Sequence, residues 1–127
     1  MPITCDTSDA PALVRYLFEG ECTGSDLLQR RLELITAGQL TAKTAVLFDL
    51  RRATTFTNVG ELGTIVRPGA VWPVCRAFVV NTPGQYDAAR QLQGLLGPDA
   101  VINEIFQDET KALEWLFAMI GRLHGVR

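Results

Sequence analysis

Histidine occurs once in this 127-residue chain and cysteine three times. Much general acid–base catalysis works through imidazole. The single copy, His124, falls in the last turn of the final predicted helix, where a cation complements the helix dipole. A Ser–His or Cys–His couple would need a nucleophile at that terminus, and no nucleophile–base pair is suggested by spacing. Cys5, Cys22 and Cys75 contain no Cys-x-x-Cys pair, and their odd number argues for a reducing compartment rather than a disulfide scaffold. Structural zinc takes about four clustered nitrogen or sulfur ligands. Three scattered thiols and one imidazole do not supply them, so no metal is expected, and Cys75 and Cys22 read as small buried hydrophobes. Neither G-x-G-x-x-G nor G-x-x-x-x-G-K-[ST] is present, and no cofactor is expected.

Excess positive charge is also missing. Twelve Lys and Arg against fourteen Asp and Glu give a net charge of −2, which argues against nucleic-acid binding. No run of eighteen apolar residues exists to span a membrane. The first residues, Met1 to Asp6, carry neither a basic stretch nor a long apolar one, so no signal peptide is read and a cytoplasmic location is expected.

What is present is 47% hydrophobic and 20% charged residues, the balance of one globular domain spanning 1–127. Two patterns alternate along it. Ala12–Glu19 reads as a strand that Gly20 breaks, and a weaker strand at Ile3–Cys5 pairs with it antiparallel through the Asp6–Pro11 turn. Thr23-Gly-Ser-Asp26 has the spacing of a capping box, and Leu28, Leu32 and Ile35 then form one apolar helical stripe, ended by Gly38. Thr44–Leu50 is nearly continuous in apolar residues, as in a strand buried on both faces.

A polar stretch, Arg51–Thr57, reads as a loop before a short helix at Asn58–Val66. The next strand is Val74–Val80, with Cys75, Ala77 and Val79 on one face and Val74, Phe78 and Val80 on the other. Thr82-Pro83 opens a helix with Ala89, Leu92 and Leu96 on its apolar face, and Gly97-Pro98 ends it. Val101–Phe106 is the last strand, and Asp108 caps a final helix bearing Leu113, Leu116, Ile120 and Leu123. The order β-β-α-β-α-β-α-β-α predicts an α/β domain with a mixed, mostly parallel sheet of about five strands and helices packed on it.

In such sheets ligands bind beyond the carboxyl ends of the strands. The richest loop there is Arg51–Asn58: Arg51, Arg52, Thr54, Thr55, Thr57 and Asn58 bring guanidinium, hydroxyl and amide groups to a helix start, a set suited to an anion or a phosphorylated partner. The competing reading has Thr57 as a plain cap and Arg51 paired with a carboxylate. Tyr86 and Arg90 stand one turn apart on the next helix and join the candidate set, against a reading of packing and an ion pair. The acidic pairs Asp108/Glu109 and Glu19/Glu21 sit at turns and read as solvated. Trp115, Phe117 and Met119 add apolar surface beyond the stripe of the last helix, covered either by a neighbouring helix or by a second copy in a homodimer.

Three segments carry a resemblance. Val46-Leu-Phe-Asp-Leu-Arg51, Tyr86-Asp-Ala-Ala-Arg90 and Ile105-Phe-Gln-Asp-Glu-Thr-Lys-Ala-Leu-Glu-Trp-Leu116 together resemble the bacterial STAS/SpoIIAA-like domains over nearly the whole chain. The resemblance implies a small mixed sheet with helices on one side and a role without catalysis, some members being grouped with lipid-binding CRAL-TRIO-like domains. Relatives that antagonise anti-sigma factors carry a phosphorylatable Asp-Ser-Ser-Gly turn, which falls here on Thr57-Asn58-Val59-Gly60. The glycine matches, both serines are absent, and the nearest hydroxyl is that of Thr57. The expectation is a regulatory or protein-interaction module with an unidentified protein partner. The alternative is a carrier of a small apolar, acidic or lipid-like ligand. An enzyme would have only Asp49, Tyr86 and the arginines to work with.

Overall fold

Alternation of large apolar side chains along the central strands gives the sheet two buried faces. The computed structural model describes residues 2–57, 72–95 and 101–123. Its elements are β1 (Ile3–Asp6), β2 (Leu13–Thr23), α1 (Gly24–Thr36), β3 (Ala45–Thr57), β4 (Cys75–Val79), α2 (Pro83–Leu95), β5 (Ile102–Phe106) and α3 (Glu109–Leu123). The strands lie in the order β1-β2-β3-β4-β5; β1 runs antiparallel to β2 and every other pairing is parallel. This is the mixed, mostly parallel five-stranded sheet expected from the sequence. The helix expected at 58–66 lies outside the described residues.

One face of the sheet carries Val14, Tyr16, Phe18, Val46, Phe48, Phe78 and Val80, packed with Leu27 and Leu34 of α1 and Ala89 and Leu92 of α2. Phe48 is at its centre, meeting Tyr16 and Phe78 edge-on at ring separations of 4.8 and 5.0 Å, the geometry that aromatic quadrupoles favour. The other face carries Leu13, Ala45, Leu47, Cys75, Ala77 and Val79, covered by Ala112, Leu116 and Met119 of α3. The helices therefore lie on both sides of the sheet, and not on one side as the resemblance implies. The alternation predicted for Val74–Val80 anticipates two apolar faces, but Val74, expected beside Phe78 and Val80, packs instead with the Cys75, Ala77 and Val79 face, because it precedes the strand, which begins at Cys75.

Local chemistry sets the helix ends. The Thr23 hydroxyl accepts from the Asp26 amide while the Asp26 carboxylate accepts from the Thr23 amide, a closed capping box. At the other end Gly38 takes a φ of +74°, and the amides of Gly38 and Gln39 close on Ile35 and Leu34 carbonyls. The stripe of α1 is displaced from the one read in the sequence: Leu27, Arg31 and Leu34 face inward, and Leu32 is 65% exposed.

Two strands are longer than their sequences suggest. β2 passes through Gly20, whose φ of +66° absorbs an irregularity, and pairs on to Thr23. β3 continues through the polar Arg51–Thr57 stretch. The partners of Leu17, Glu19, Gly20 and Glu21 are Asp49, Arg52, Ala53 and Thr55, so β3 spends an extra residue twice against β2. Such bulges break period-two alternation, which is why a strand looks like a loop in sequence. Phe56 still reaches the aromatic core, 5.7 Å from the Phe18 ring.

Candidate functional site

The first half of β2, the middle of β3 and the first turn of α3 enclose a cleft of about 490 Å³, lined by Asp6, Arg15, Leu17, Leu47, Asp49, Arg51, Arg52, Asn81 and Glu109. Asp49 and Arg51 share one face of β3 and touch directly. The Arg51 guanidinium donates from Nε to Asp49 Oδ1 at 2.9 Å and from Nη2 to Asp49 Oδ2 at 2.8 Å, and the Arg51 amide also donates to Oδ1. The same Nη2 reaches Glu109 Oε1 on α3 at 2.8 Å, and Arg15 Nη1 of β2 holds the other Glu109 oxygen at 3.0 Å. Four charges from three elements thus form one chain, Asp49–Arg51–Glu109–Arg15.

Its electrostatics are settled by its own hydrogen bonds. Burial raises the Asp49 carboxyl, but the side-chain and backbone bonds from Arg51 outweigh it and hold the group below the usual carboxylate range. Hydrogen bonding to Asp49 likewise raises Arg51 above its ordinary value, so both groups stay charged at neutral pH.

The structure separates the residues proposed from sequence. Arg51 is committed to its two carboxylates, as in the competing reading. Arg52, on the rim of the same cleft, is 77% exposed and only 3.6 Å from Glu19. Thr54 and Thr55 line a second cleft of about 180 Å³ against the start of α2, with Thr82, Gln85, Asp87 and Gln91. Thr57 is exposed at the end of β3, and Asn58 lies outside the described residues. Tyr86 and Arg90 sit on the exposed side of α2, 3.5 Å apart, and line neither cleft. On α3, Met119 is only 6% exposed and packs inward, Trp115 lies against Phe106 at 5.8 Å, and Phe117 is 54% exposed. Of the three residues proposed for a dimer contact, Phe117 alone is an exposed large side chain.

Three residues that organise this region did not stand out in the sequence. Glu109 was read as a solvated turn residue but is an ion-pair hub. Arg15 alternates with apolar neighbours along β2, a weak signal for a charge over a cleft. Gln85 is buried and joins the two clefts: its carbonyl accepts from the Asn81 and Thr82 amides, and its Nε2 donates to the Arg51 and Ala53 carbonyls at 3.1 and 3.0 Å. The Thr82 hydroxyl in turn accepts from the Gln85 amide. A Thr-x-x-Gln spacing at a helix start carries that signal.

Among the described residues no cluster of three or more His, Cys, Asp or Glu is placed to hold a metal. Burial raises the thiols of Cys5 and Cys75 to about 11 and also raises Cys22, away from nucleophilic thiolate chemistry. Among the described residues no helix is long and apolar enough to cross a membrane.

Among the described residues, the five-stranded, mostly parallel mixed sheet with three helices is an α/β domain that matches the SpoIIAA-like fold. An uncharacterized protein of the DUF3478 family from Shewanella loihica PV-4, whose crystal structure has a SpoIIAA-like fold, superposes with a TM-score of 0.57 at 20% identity, over 90% of this chain and 91% of that one. No family model matches the sequence, and no curated protein matches it significantly.

Proposed function

We propose that the chain is a non-enzymatic regulatory or protein-interaction module of STAS type, whose docking surface is the cleft between the first half of β2, the middle of β3 and the first turn of α3. One observation carries this reading: the polar groups of the cleft neutralise one another in the Asp49–Arg51–Glu109–Arg15 chain. Catalysis needs a group whose proton or electron pair is available at working pH, and ion pairing removes that availability from Asp49 and Arg51. What such a network supplies is a fixed pattern of both charge signs, with Arg52 extending from its rim, which suits recognition of a polar protein surface. The STAS resemblance supports the same reading, which includes a cytoplasmic location and a homodimer formed through the exposed Phe117 of α3.

The second reading, a small-ligand carrier, is favoured by the cleft's volume of about 490 Å³, within the range of ligand sites. Its acidic ligand would meet Arg15 and Arg52. Native mass spectrometry of freshly purified protein separates the two. The module reading expects the bare mass of one or two chains, and capture of a protein partner that Arg52→Glu abolishes without changing the melting temperature. An adduct present natively and lost on denaturation would establish the carrier instead. Unchanged capture by Arg52→Glu would remove this cleft from the account.

A further inference from the structure

Period-two alternation along β2 puts Arg15, Leu17 and Glu19 on the face of the sheet that carries the 490 Å³ cleft, while Val14, Tyr16 and Phe18 enter the opposite core. Asp6 of β1 lies opposite Arg15, and Glu19 pairs in register with Arg52 of β3. A row of side chains therefore runs from Asp6 and Arg15, past Leu17, to Glu19 and Arg52, with Arg51 alongside it on β3.

Hydrogen bonds inside the cleft are unevenly spent. Each oxygen of Asp49 and Glu109 already accepts from a guanidinium. Arg51 gives three side-chain hydrogen bonds and Arg15 one, fewer than a guanidinium has N–H groups to give. The 3.6 Å contact of Arg52 with Glu19 is too long to be one. Among the described residues, the middle of the cleft thus has donors to spare while its carboxylates are engaged. Depth agrees with this: the Asp49 side chain is 13% exposed and that of Arg51 32%, so an incoming group meets guanidinium first. The group that fits there is an acceptor, and a carboxylate bonds a guanidinium more strongly than a neutral oxygen does.

The ends of the row have the opposite character. Asp6 is exposed, and the amide and hydroxyl of Ser8 both bond to its Oδ1, holding the carboxyl below its usual range and charged at neutral pH. Glu19 is 53% exposed and has the long contact with Arg52. Arg15, beside Asp6, and Glu19 are separated by roughly 13 Å of extended strand. Two acidic groups therefore flank the arginines at the spacing of positions i and i+4 in an extended chain.

Resting on the docking role of this cleft, we infer that it binds an extended protein segment of the pattern basic-x-acidic-x-basic, its central carboxylate held by Arg15, Arg51 and Arg52 and its two cations by Asp6 and Glu19. Residues i, i+2 and i+4 of an extended segment share one face, and the apolar stem of the central residue lies on Leu17. A wholly acidic tract would oppose Asp6 and Glu19, and a wholly basic one would oppose the arginines.

Isotope-labelled full-length protein is titrated with acetyl-Lys-Ser-Glu-Ser-Lys-amide at low salt, and its backbone amide and arginine Nε–H resonances are followed. Saturable shifts at Arg15, Leu17 and Arg52 are expected. The same peptide with Gln for Glu, and the charge-reversed Glu-Ser-Lys-Ser-Glu, should each need at least ~10-fold more for half-saturation, the loss expected for a charge-assisted hydrogen bond. Arg52→Glu, at an exposed position outside the ion-pair chain, should weaken binding of the first peptide as much. Asp6→Asn keeps the oxygen bonded to Ser8 and should weaken it ~2–5-fold, as for an exposed ion pair.

Equal or tighter binding of the charge-reversed peptide would overturn the pattern while leaving the cleft a docking surface. Sodium propionate saturating the same resonances at the same concentration as the peptide would overturn it in favour of a carrier of small acids. No saturable shift with any of these probes would overturn it too, and partner capture with Arg52→Glu then decides separately whether the cleft docks a protein at all.

Discussion

Arg51 Nη2 stands 2.8 Å from Glu109 Oε1, joining the middle of the sheet to the first turn of α3 across 58 positions of sequence. The contact couples the first turn of α3 to the middle of β3, where the candidate cleft opens. It also separates two adjacent arginines that look equivalent in sequence. Arg51 makes three side-chain hydrogen bonds to two carboxylates, and Arg52 makes one long contact with an exposed glutamate.

Their alanine variants should therefore diverge. Arg51→Ala leaves Asp49 and Glu109 without their shared partner. Discounted for partial exposure, the loss should be about 1–2 kcal/mol in a denaturant melt. Arg52→Ala should stay within ~0.5 kcal/mol of the parent, as substitutions at open surface do. Equal effects would show that Arg51 is not an anchor of the fold.

Asp49 gives this network an acid limit. Its carboxyl is lowered in the folded protein relative to an unfolded value of about 3.9. A depressed acid stabilises the folded state at pH above the unfolded value, and that contribution disappears as pH falls through the folded one. Melting temperature should thus hold through neutral pH and fall below about pH 4. Asp49→Asn should melt lower than the parent at pH 7 and converge with it in acid. Parallel curves for the two proteins across that range would place the acid limit elsewhere.

Much of the architecture was legible because its signals are local. The Thr23–Asp26 box, the positive-φ Gly38 and, apart from Val74, the two-faced apolar pattern of Val74–Val80 each follow from neighbouring residues. Errors came where a strand departs from period two. The bulges of β3 hid its second half, and the break expected at Gly20 is a bend inside a continuing strand. The α1 stripe slipped because Arg31, which lies inward over Trp72, has no apolar signature. The candidate site was only partly readable, since Arg15, Asp49, Arg51 and Glu109 meet through tertiary packing. Sequence spacing brings Asp49 and Arg51 together but says nothing of Glu109.

Gln85 provides the sharpest test of how the two clefts are held. Its amide donates both protons' worth of bonding to β3 carbonyls, at Arg51 and Ala53, while its carbonyl oxygen receives two amides at the start of α2. β4 ends at Val79, so this side chain satisfies carbonyls of β3 beyond the last β4 pairing, at Asp49. Gln85→Glu is nearly isosteric but replaces the donor with a carboxylate oxygen facing two carbonyl oxygens. At neutral pH the variant should lose about 2–4 kcal/mol, the magnitude of a broken buried hydrogen-bond pair with an uncompensated charge. Protonation restores one donor, so the introduced carboxyl should titrate above the usual range. Part of the lost stability should then return as pH is lowered toward 5, opposite in direction to the Asp49 effect. A variant as stable as the parent at pH 7 would show that the β3 carbonyls find other donors and that Gln85 does not couple β3 to α2.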